Sequence, residues 1–249
     1  MIYRQSAIDI IRDIVEGLTF PVTIITATNN GGGLHTLEVC DMYHAQPGFQ
    51  VTIGGKTYTI TEVVPATQPN CAASTSDTLT VSGASTNITA TTFNLYTPFF
   101  FHGTPIAQGA ELSQVTQAKN KTPMVWVNDG TLEWTDSNDP TLNKERDIKC
   151  DLYCLTQGDP EKWVTDDAWE KAINPMERLR ERIMVQLNAM PWRFEVEQRD
   201  ELVKPFAKFG VFLSNRGMEK SLWHDKLSGV GNAMTLGVNR LENECVDCG

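Results

Sequence analysis

The sequence lacks long apolar runs and an excess of positive charge. Nowhere in its 249 residues do about 18 apolar residues follow one another, so no membrane-spanning helix is predicted. The chain has 21 Lys and Arg residues against 31 Asp and Glu residues, which gives a net charge of -10. Proteins that hold nucleic-acid phosphates over a broad face need clustered cations. We therefore expect neither a membrane protein nor a specific nucleic-acid-binding protein.

Familiar catalytic motifs are also missing. There is no G-x-S-x-G elbow, no P-loop, no G-x-G-x-x-G turn and no H-E-x-x-H helix. The histidines are not spaced as metal ligands: His35, His44, His102 and His224. We predict no enzyme, no cofactor and no metal site. The alternatives are a Cys71–His102 nucleophile and base pair and an acid/base pair of Asp166 and Asp167.

The cysteines favour packing over chemistry. The first 18 residues do not form a secretory signal, because Asp9, Arg12 and Asp13 interrupt them, so we expect a reducing compartment with few disulfides. If residues 147–155 form a strand, Cys150 and Cys154 share one face about 13 Å apart. Two thiolates on one zinc lie about 4 Å apart. The pair is therefore predicted to be buried and metal-free. The C-x-x-C pair near the chain end, Cys245 and Cys248, is followed by no helix, which favours a frayed terminus or a late disulfide.

The first half predicts one helix and then many short strands. Apolar residues at helical spacing indicate a helix over residues 4–17. The run GFQVTIGGKTYTITEVV alternates on either side of Gly54 and Gly55 and predicts a hairpin. Five or six such strands fall between residues 20 and 105. We expect them to form a small β-barrel or sandwich.

The second half mixes strands with a well-marked helix. Strands are predicted at TPMVWVND, GTLEW, RDIKCDLYCL, FAKFGVFLSN and AMTLGVNRL. Asn174 before Pro175, with Glu177 at the third helical position, indicates an N-cap and capping box. Arginines at positions 178, 180, 182 and 193 are interpreted as a solvated helix face; the alternative is a phosphate site.

Exposed aromatic bulk is the most unusual feature. Phe99, Phe100 and Phe101 are consecutive, so at least one ring must point away from the core of any single sheet. All six tryptophans lie in the second half, and Trp is favoured in interfaces as well as in cores. We therefore predict contact-surface candidates, which are Phe99, Phe100, Phe101, Trp126, Trp134 and Trp223.

These elements together resemble a family of virion proteins. A first helix, a β-rich insertion, KTPMVWVNDGTLEW, KCDLYCL, W-V-T-D-D and a helix opening INPMERL are similar to tail-terminator and head–tail joining ring proteins of tailed bacteriophages, including crAss-like phages. The resemblance implies an α+β fold with a tail-terminator-like core of helix, antiparallel sheet and helix. Residues 1–19 and 119–215 would form this core, residues 20–118 an inserted all-β module with a linker, and residues 216–249 a C-terminal strand or arm.

The same resemblance implies a function. The chain would form a homo-oligomeric ring in the phage neck or tail, assembled in the host cytoplasm, that joins other neck and tail proteins. DNA would pass through the ring without specific binding, and the acidic stretch 133–147 is the predicted lumen-facing or neighbour-facing loop. Two alternatives stay open: a tail adhesin that binds a host glycan or receptor, and a hydrolase.

Overall fold

A computed structural model shows the fold. It describes residues 7–66, 76–103, 122–136, 144–157, 172–189, 194–209, 211–213, 219–221 and 227–239. The helices in these ranges are α1 (Ala7–Gly17) and α2 (Asn174–Asn188). The strands are β1 (Pro21–Gly31), β2 (Leu34–Val39), β3 (Gln50–Ile53), β4 (Lys56–Val64), β5 (Asp77–Ser82), β6 (Thr92–Asn94), β7 (Phe99–Gly103), β8 (Met124–Asp136), β9 (Lys144–Gln157), β10 (Phe194–Phe209), β11 (Val211–Leu213), β12 (Glu219–Ser221) and β13 (Leu227–Asn239).

Six strands from the first half form one antiparallel sheet in the order β3-β4-β5-β2-β1-β6. The predicted hairpin of β3 and β4 is confirmed, and Gly54 and Gly55 take the positive φ angles that its turn requires, 56° and 78°. The two edge strands lie side by side, and Phe49 stacks on Tyr96 across the seam with ring centroids 4.6 Å apart. We call this nearly closed sheet the barrel.

Alternation explains which side of the barrel is filled. In β5, Leu79 and Val81 are fully buried, whereas the alternate residues Thr78 and Thr80 are only partly buried. Strand β2 repeats this pattern, with Leu37 buried. Since side chains alternate between the two faces of a strand, the barrel buries its apolar inner face and shows threonines outside.

Five strands form a second sheet in the order β10-β13-β9-β8-β7. Neighbours are antiparallel except β7 and β8, which are parallel. Helix α2 covers one face, where its buried stripe belongs to the same hydrophobic cluster as Cys150, Leu152 and Cys154. A second cluster lies on the other face and includes Trp126 and Phe209. Both faces of this sheet are therefore packed.

One hydrophobic cluster joins the barrel, both helices and the α2-covered face of the second sheet. Helix α1 contributes the predicted stripe, with Ile11, Ile14, Val15 and Leu18 buried, and it packs against β7 and α2. The division into a core, an inserted module and an arm stays a prediction. Neither described helix is long and apolar enough to span a membrane.

The predicted α+β fold, a helix–sheet–helix core like that of tail terminators, is wrong, because the chain is mostly β with one nearly closed sheet. Short strands were expected at residues 206–215 and 233–241, whereas β10 and β13 extend over Phe194–Phe209 and Leu227–Asn239. They widen the second sheet, and among the described helices α2 packs against β9, β10 and β13 while α1 packs against the edge strand β7. Strand β10, FEVEQRDELVKPFAKF, has no clear alternation, so it is set by pairing with β13 rather than by local propensity.

The start of α2 differs from its predicted cap. The helix does begin at Asn174, but the N-cap position is Ile173, in αR conformation, and no side chain caps the helix. Ala172 and Ile173 form a wide helical turn that leads directly into α2. The predicted Asn174 capping box is therefore wrong, because the preceding residues already continue the helical path.

Candidate functional site

Phe99 is the most exposed of the described aromatic side chains. It opens the edge strand β7, and 44% of its surface is exposed. Phe101, two residues further along, is buried, and its ring centroid lies 4.6 Å from that of Phe99. The exposed ring therefore continues an apolar row that begins in the core.

The parallel pairing of β7 with β8 fixes these rings. Phe99 lies opposite Met124, and its N–H donates to the carbonyl of Pro123 at 2.9 Å. Phe100 points to the opposite face, where it packs against the main cluster with the Arg12 guanidinium 5.5 Å from its ring centroid. Alternation thus splits the three phenylalanines between two faces, as the sequence predicts.

A groove of about 270 Å³ separates the start of β7 from the seam of the barrel. Its wall includes the stacked pair Phe49 and Tyr96 as well as Phe99. Polar groups of Gln50 and Thr97 lie beside the rings. We call this the aromatic groove. An aromatic centre with polar neighbours is typical of protein contact surfaces.

Hydrogen bonds beneath the groove hold Tyr96 in place. The Tyr96 hydroxyl donates to the His44 carbonyl at 3.0 Å, and His44 Nε2 lies 2.8 Å from the Tyr96 carbonyl. Because a carbonyl only accepts, Nε2 is the protonated nitrogen of this imidazole. Burial lowers the pKa of His44 to about 4 and raises the pKa of Tyr96. Both side chains are therefore neutral at neutral pH and act as a rigid support.

A second buried contact ties this support to the other sheet. The hydroxyl of Thr156 on β9 donates to Gln46 Oε1 at 2.5 Å, and both residues are buried. Two buried atoms of this region, His44 Nδ1 and Gln46 Nε2, have no hydrogen-bond partner among the described residues. The two segments that carry Phe49 and Tyr96 are thus anchored to each other through His44 and to β9 through Gln46, so the groove lies between fixed elements.

The other predicted contact residues do not offer a free surface within the described chain. Phe101 and Trp126 are buried in the second cluster, where Trp126 stacks on Tyr153 with centroids 4.9 Å apart. Trp134 lies in β8 opposite Ile148, but its side chain is not among those that the structure describes. Trp223 lies outside the described residues. Phe99 is therefore the candidate on which an intermolecular contact can be argued.

The structure confirms that Cys150 and Cys154 are buried free thiols on one face of β9. Burial raises the pKa of each thiol to about 12, so neither is a thiolate at neutral pH. Cys40 is disulfide-bonded. Cys245 and Cys248 lie outside the described residues.

Neither proposed reactive pair lies wholly within the described residues. Cys71, Asp166 and Asp167 are outside the described residues, and His102 is exposed on β7, where its ring is tilted against Phe100. No group of three or more His, Cys, Asp or Glu residues within the described ranges is placed to hold a metal ion.

The arginines of α2 have structural surroundings. Arg178 Nη1 lies 3.5 Å from Oδ2 of the fully buried Asp77. Arg180 and Arg182 are only partly exposed, so this face of the helix is less solvated than predicted. Arg193 is outside the described residues.

Comparison with known proteins identifies no relative. No family model matches the chain, and no curated protein or solved structure is significantly similar to it. The function of the protein is therefore inferred from the geometry described above.

Two groove residues are not predicted from the sequence as contact residues. Phe49 belongs to the alternating run of the hairpin, and Tyr96 falls among the short strands expected between residues 20 and 105. They are 47 positions apart, and only closure of the barrel stacks them. No local pattern predicts this contact, although each aromatic residue lies just outside a short edge strand, β3 or β6.

Proposed function

We propose that this chain is a non-catalytic structural protein that assembles with copies of itself into a ring of the neck or tail of a tailed bacteriophage. The observation that carries the proposal is the exposed Phe99 beside the aromatic groove. Phe99 extends a row of buried apolar side chains to the surface and lies next to two stacked aromatic rings. Such an exposed aromatic cluster is typical of a surface that is covered by another protein chain.

The edges of the second sheet support a second copy as the occupant. No described strand pairs with the outer side of β7 or of β10, which are the two edges of that sheet. Strand β7, FFFHG, contains no Lys, Arg, Asp, Glu or Pro, the residues that usually protect an edge from pairing. When β7 of one copy meets β10 of the next, the contact is head-to-tail, and such contacts close into rings when the rotation fits.

Charge is consistent with this assignment. A net charge of -10 keeps DNA phosphates from adhering to a channel that they pass through. In the acidic stretch 133–147, residues 133–136 and 146–149 pair as strands, so its described ends form a hairpin arm rather than a free loop. We assign this arm to the lumen or to contacts with neighbouring virion proteins.

The test is the mass of the assembled protein. Native mass spectrometry of the wild type should give a multiple of 27.7 kDa, and Phe99→Ser should shift the population to the monomer. Val64→Ser is the matched control, because Val64 is 48% exposed at the end of β4, away from the groove. Its assembly should equal that of the wild type.

Two outcomes would contradict the proposal. One is a wild-type protein that stays monomeric at every concentration. The other is an assembly that Phe99→Ser leaves unchanged while its melting temperature matches the wild type. Mass spectrometry of purified phage particles tests the virion assignment separately, because a ring protein must be present there in fixed stoichiometry.

A further inference from the structure

A second cleft, distinct from the aromatic groove, has a different chemistry. Its volume is about 440 Å³, and it lies between the start of β1, the segment after β2 and the side of α2. Its lining residues are Pro21, Thr23, Cys40, Asp41, Tyr43, Asp77 and Arg178. We call it the polar cleft. Its size is within the range of small-molecule sites, roughly 300–1,000 Å³.

The back of the cleft is a buried ion pair. Asp77 Oδ1 accepts from the N–H of Ala66 at 2.8 Å, and Oδ2 accepts from the N–H of Met42 at 3.2 Å. Arg178 from α2 approaches the same Oδ2 at 3.5 Å and is 29% exposed. The arginine balances the buried carboxylate and keeps part of its guanidinium available at the surface of the cleft.

The front of the cleft presents a carboxylate and a phenol ring. Asp41 Oδ1 accepts from the N–H of Tyr43 at 2.9 Å. This bond accompanies the left-handed conformation of Tyr43, with φ of 41°. The Tyr43 ring packs edge-on against Phe20 at 5.6 Å, which fixes its orientation while the side chain stays partly exposed. The second oxygen of Asp41 is not used by this bond.

The balance of charges selects the class of ligand. The Arg178 guanidinium offsets the buried Asp77 carboxylate, so Asp41 carries the remaining formal charge of the described lining, and it disfavours an anion. A metal cation needs several ligands, and no group of three or more His, Cys, Asp or Glu residues in the described ranges is placed to hold one. A neutral molecule with several hydroxyl groups satisfies both signs, because each hydroxyl donates to a carboxylate and accepts from a guanidinium. The apolar C–H face of such a molecule can pack on the ring of Tyr43.

We propose that the polar cleft binds a neutral saccharide ring, with Asp41 and Arg178 contacting its hydroxyls and Tyr43 packing against its C–H face. This site is independent of the proposed ring assembly, since none of its described lining residues lines the aromatic groove. The chain then carries a recognition site as well as an assembly surface.

Saturation-transfer NMR on the intact chain tests the site. The probes are glucose, galactose, mannose and N-acetylglucosamine, with glycine as a zwitterion and inorganic phosphate as an anion. At least one sugar should bind in the millimolar range or tighter. Tyr43→Asn, which tolerates the left-handed backbone and removes the ring, should weaken its binding at least about tenfold. Asp41→Asn should weaken it to a similar extent, because it replaces a carboxylate oxygen by an amide.

Control variants distinguish a loss of sugar binding from misfolding and from a loss of ring assembly. Glu16→Gln, on the exposed side of α1, should bind the sugar as the wild type does, and so should the assembly variant Phe99→Ser. Circular dichroism should show the same melting temperature for Tyr43→Asn and wild type to within a few degrees. The site assignment is overturned if no probe sugar binds, if a sugar binds Tyr43→Asn unchanged, or if only glycine or phosphate binds.

Discussion

The barrel and the second sheet bury their apolar side chains in two different ways. The barrel buries one face and leaves threonines such as Thr78 and Thr80 on the other. The second sheet buries both faces, so that neighbours in one strand, Val125 and Trp126, are both in hydrophobic clusters. The difference teaches that the outward-facing residues of the barrel are less constrained by packing, whereas almost every position of β8 and β13 whose side chain is described is buried.

The largest expected effect is on β13, an inner strand of the second sheet. A Cβ added at Gly229 would lie 2.0 Å from the backbone carbonyl oxygen of Cys154, so Gly229→Ala must displace β13 from β9. We expect it to reduce the free energy of unfolding by more than about 3 kcal/mol, measured by urea denaturation. Gly17→Ala has no neighbour within 4 Å and should change it by less than about 1 kcal/mol. Equal effects of the two substitutions would refute this account.

Adjacent-residue pairs test the two kinds of sheet directly. In the second sheet, Trp126→Ala should cost about 3–5 kcal/mol and its neighbour Val125→Ala about 2 kcal/mol. In the barrel, Leu79→Ala should cost about 2–5 kcal/mol, but its neighbour Thr80→Ala less than about 0.5 kcal/mol. Urea denaturation of the four variants gives the comparison. A small loss of stability for Val125→Ala, or a large loss for Thr80→Ala, would contradict the difference between the two sheets.

The pH dependence of the free energy of unfolding gives a further test on the barrel side of the comparison. Burial lowers the pKa of His44 to about 4, below the value of 6.5 in the unfolded chain. Above the pKa of the unfolded state, the imidazole is neutral in both the folded and the unfolded chain, so the protein keeps its full stability. As pH falls toward 4, the unfolded state takes up a proton that the folded state does not, so stability decreases. From about pH 7.5 to about pH 5 the loss should be about 2 kcal/mol.

Urea denaturation at these two pH values measures this loss. His44→Gln should remove most of the pH dependence, whereas His102→Asn, at an exposed position on β7, should retain it. A wild-type protein that is as stable at about pH 5 as at about pH 7.5 would contradict the buried neutral imidazole.

The smallest effect is expected on the outer face of the barrel. The Thr26 hydroxyl donates to Glu38 Oε2 at 2.7 Å in an exposed cross-strand pair. Since solvent replaces such a bond readily, Glu38→Gln should change the free energy of unfolding by less than about 0.5 kcal/mol. A loss above about 1 kcal/mol in urea would mean that this face is covered rather than free.

The parts predicted correctly are those whose cause is local. The stripe of α1 follows from helical spacing, and the hairpin of β3 and β4 follows from alternation and the Gly54–Gly55 turn. The burial of Cys150 and Cys154 follows from their even spacing on one strand. These features need no knowledge of distant residues.

The parts that were missed depend on distant contacts. Strand β10 is rich in charge and is defined by its pairing with β13, which is why the α+β expectation was wrong. The stacking of Phe49 on Tyr96 needs the barrel to close. The polar cleft needs α2 to place Arg178 against Asp77, 101 positions earlier, and no spacing rule predicts such a meeting.

The bond between Gln46 and Thr156 spans 110 positions, and it has a consequence for biosynthesis. When the barrel strands leave the ribosome, the segments that complete their shared hydrophobic cluster, from β8 to β13, have not yet been translated. The nascent chain must therefore expose apolar surface of this cluster until β8, β9, α2 and β13 have been synthesised, and such surface is prone to aggregation.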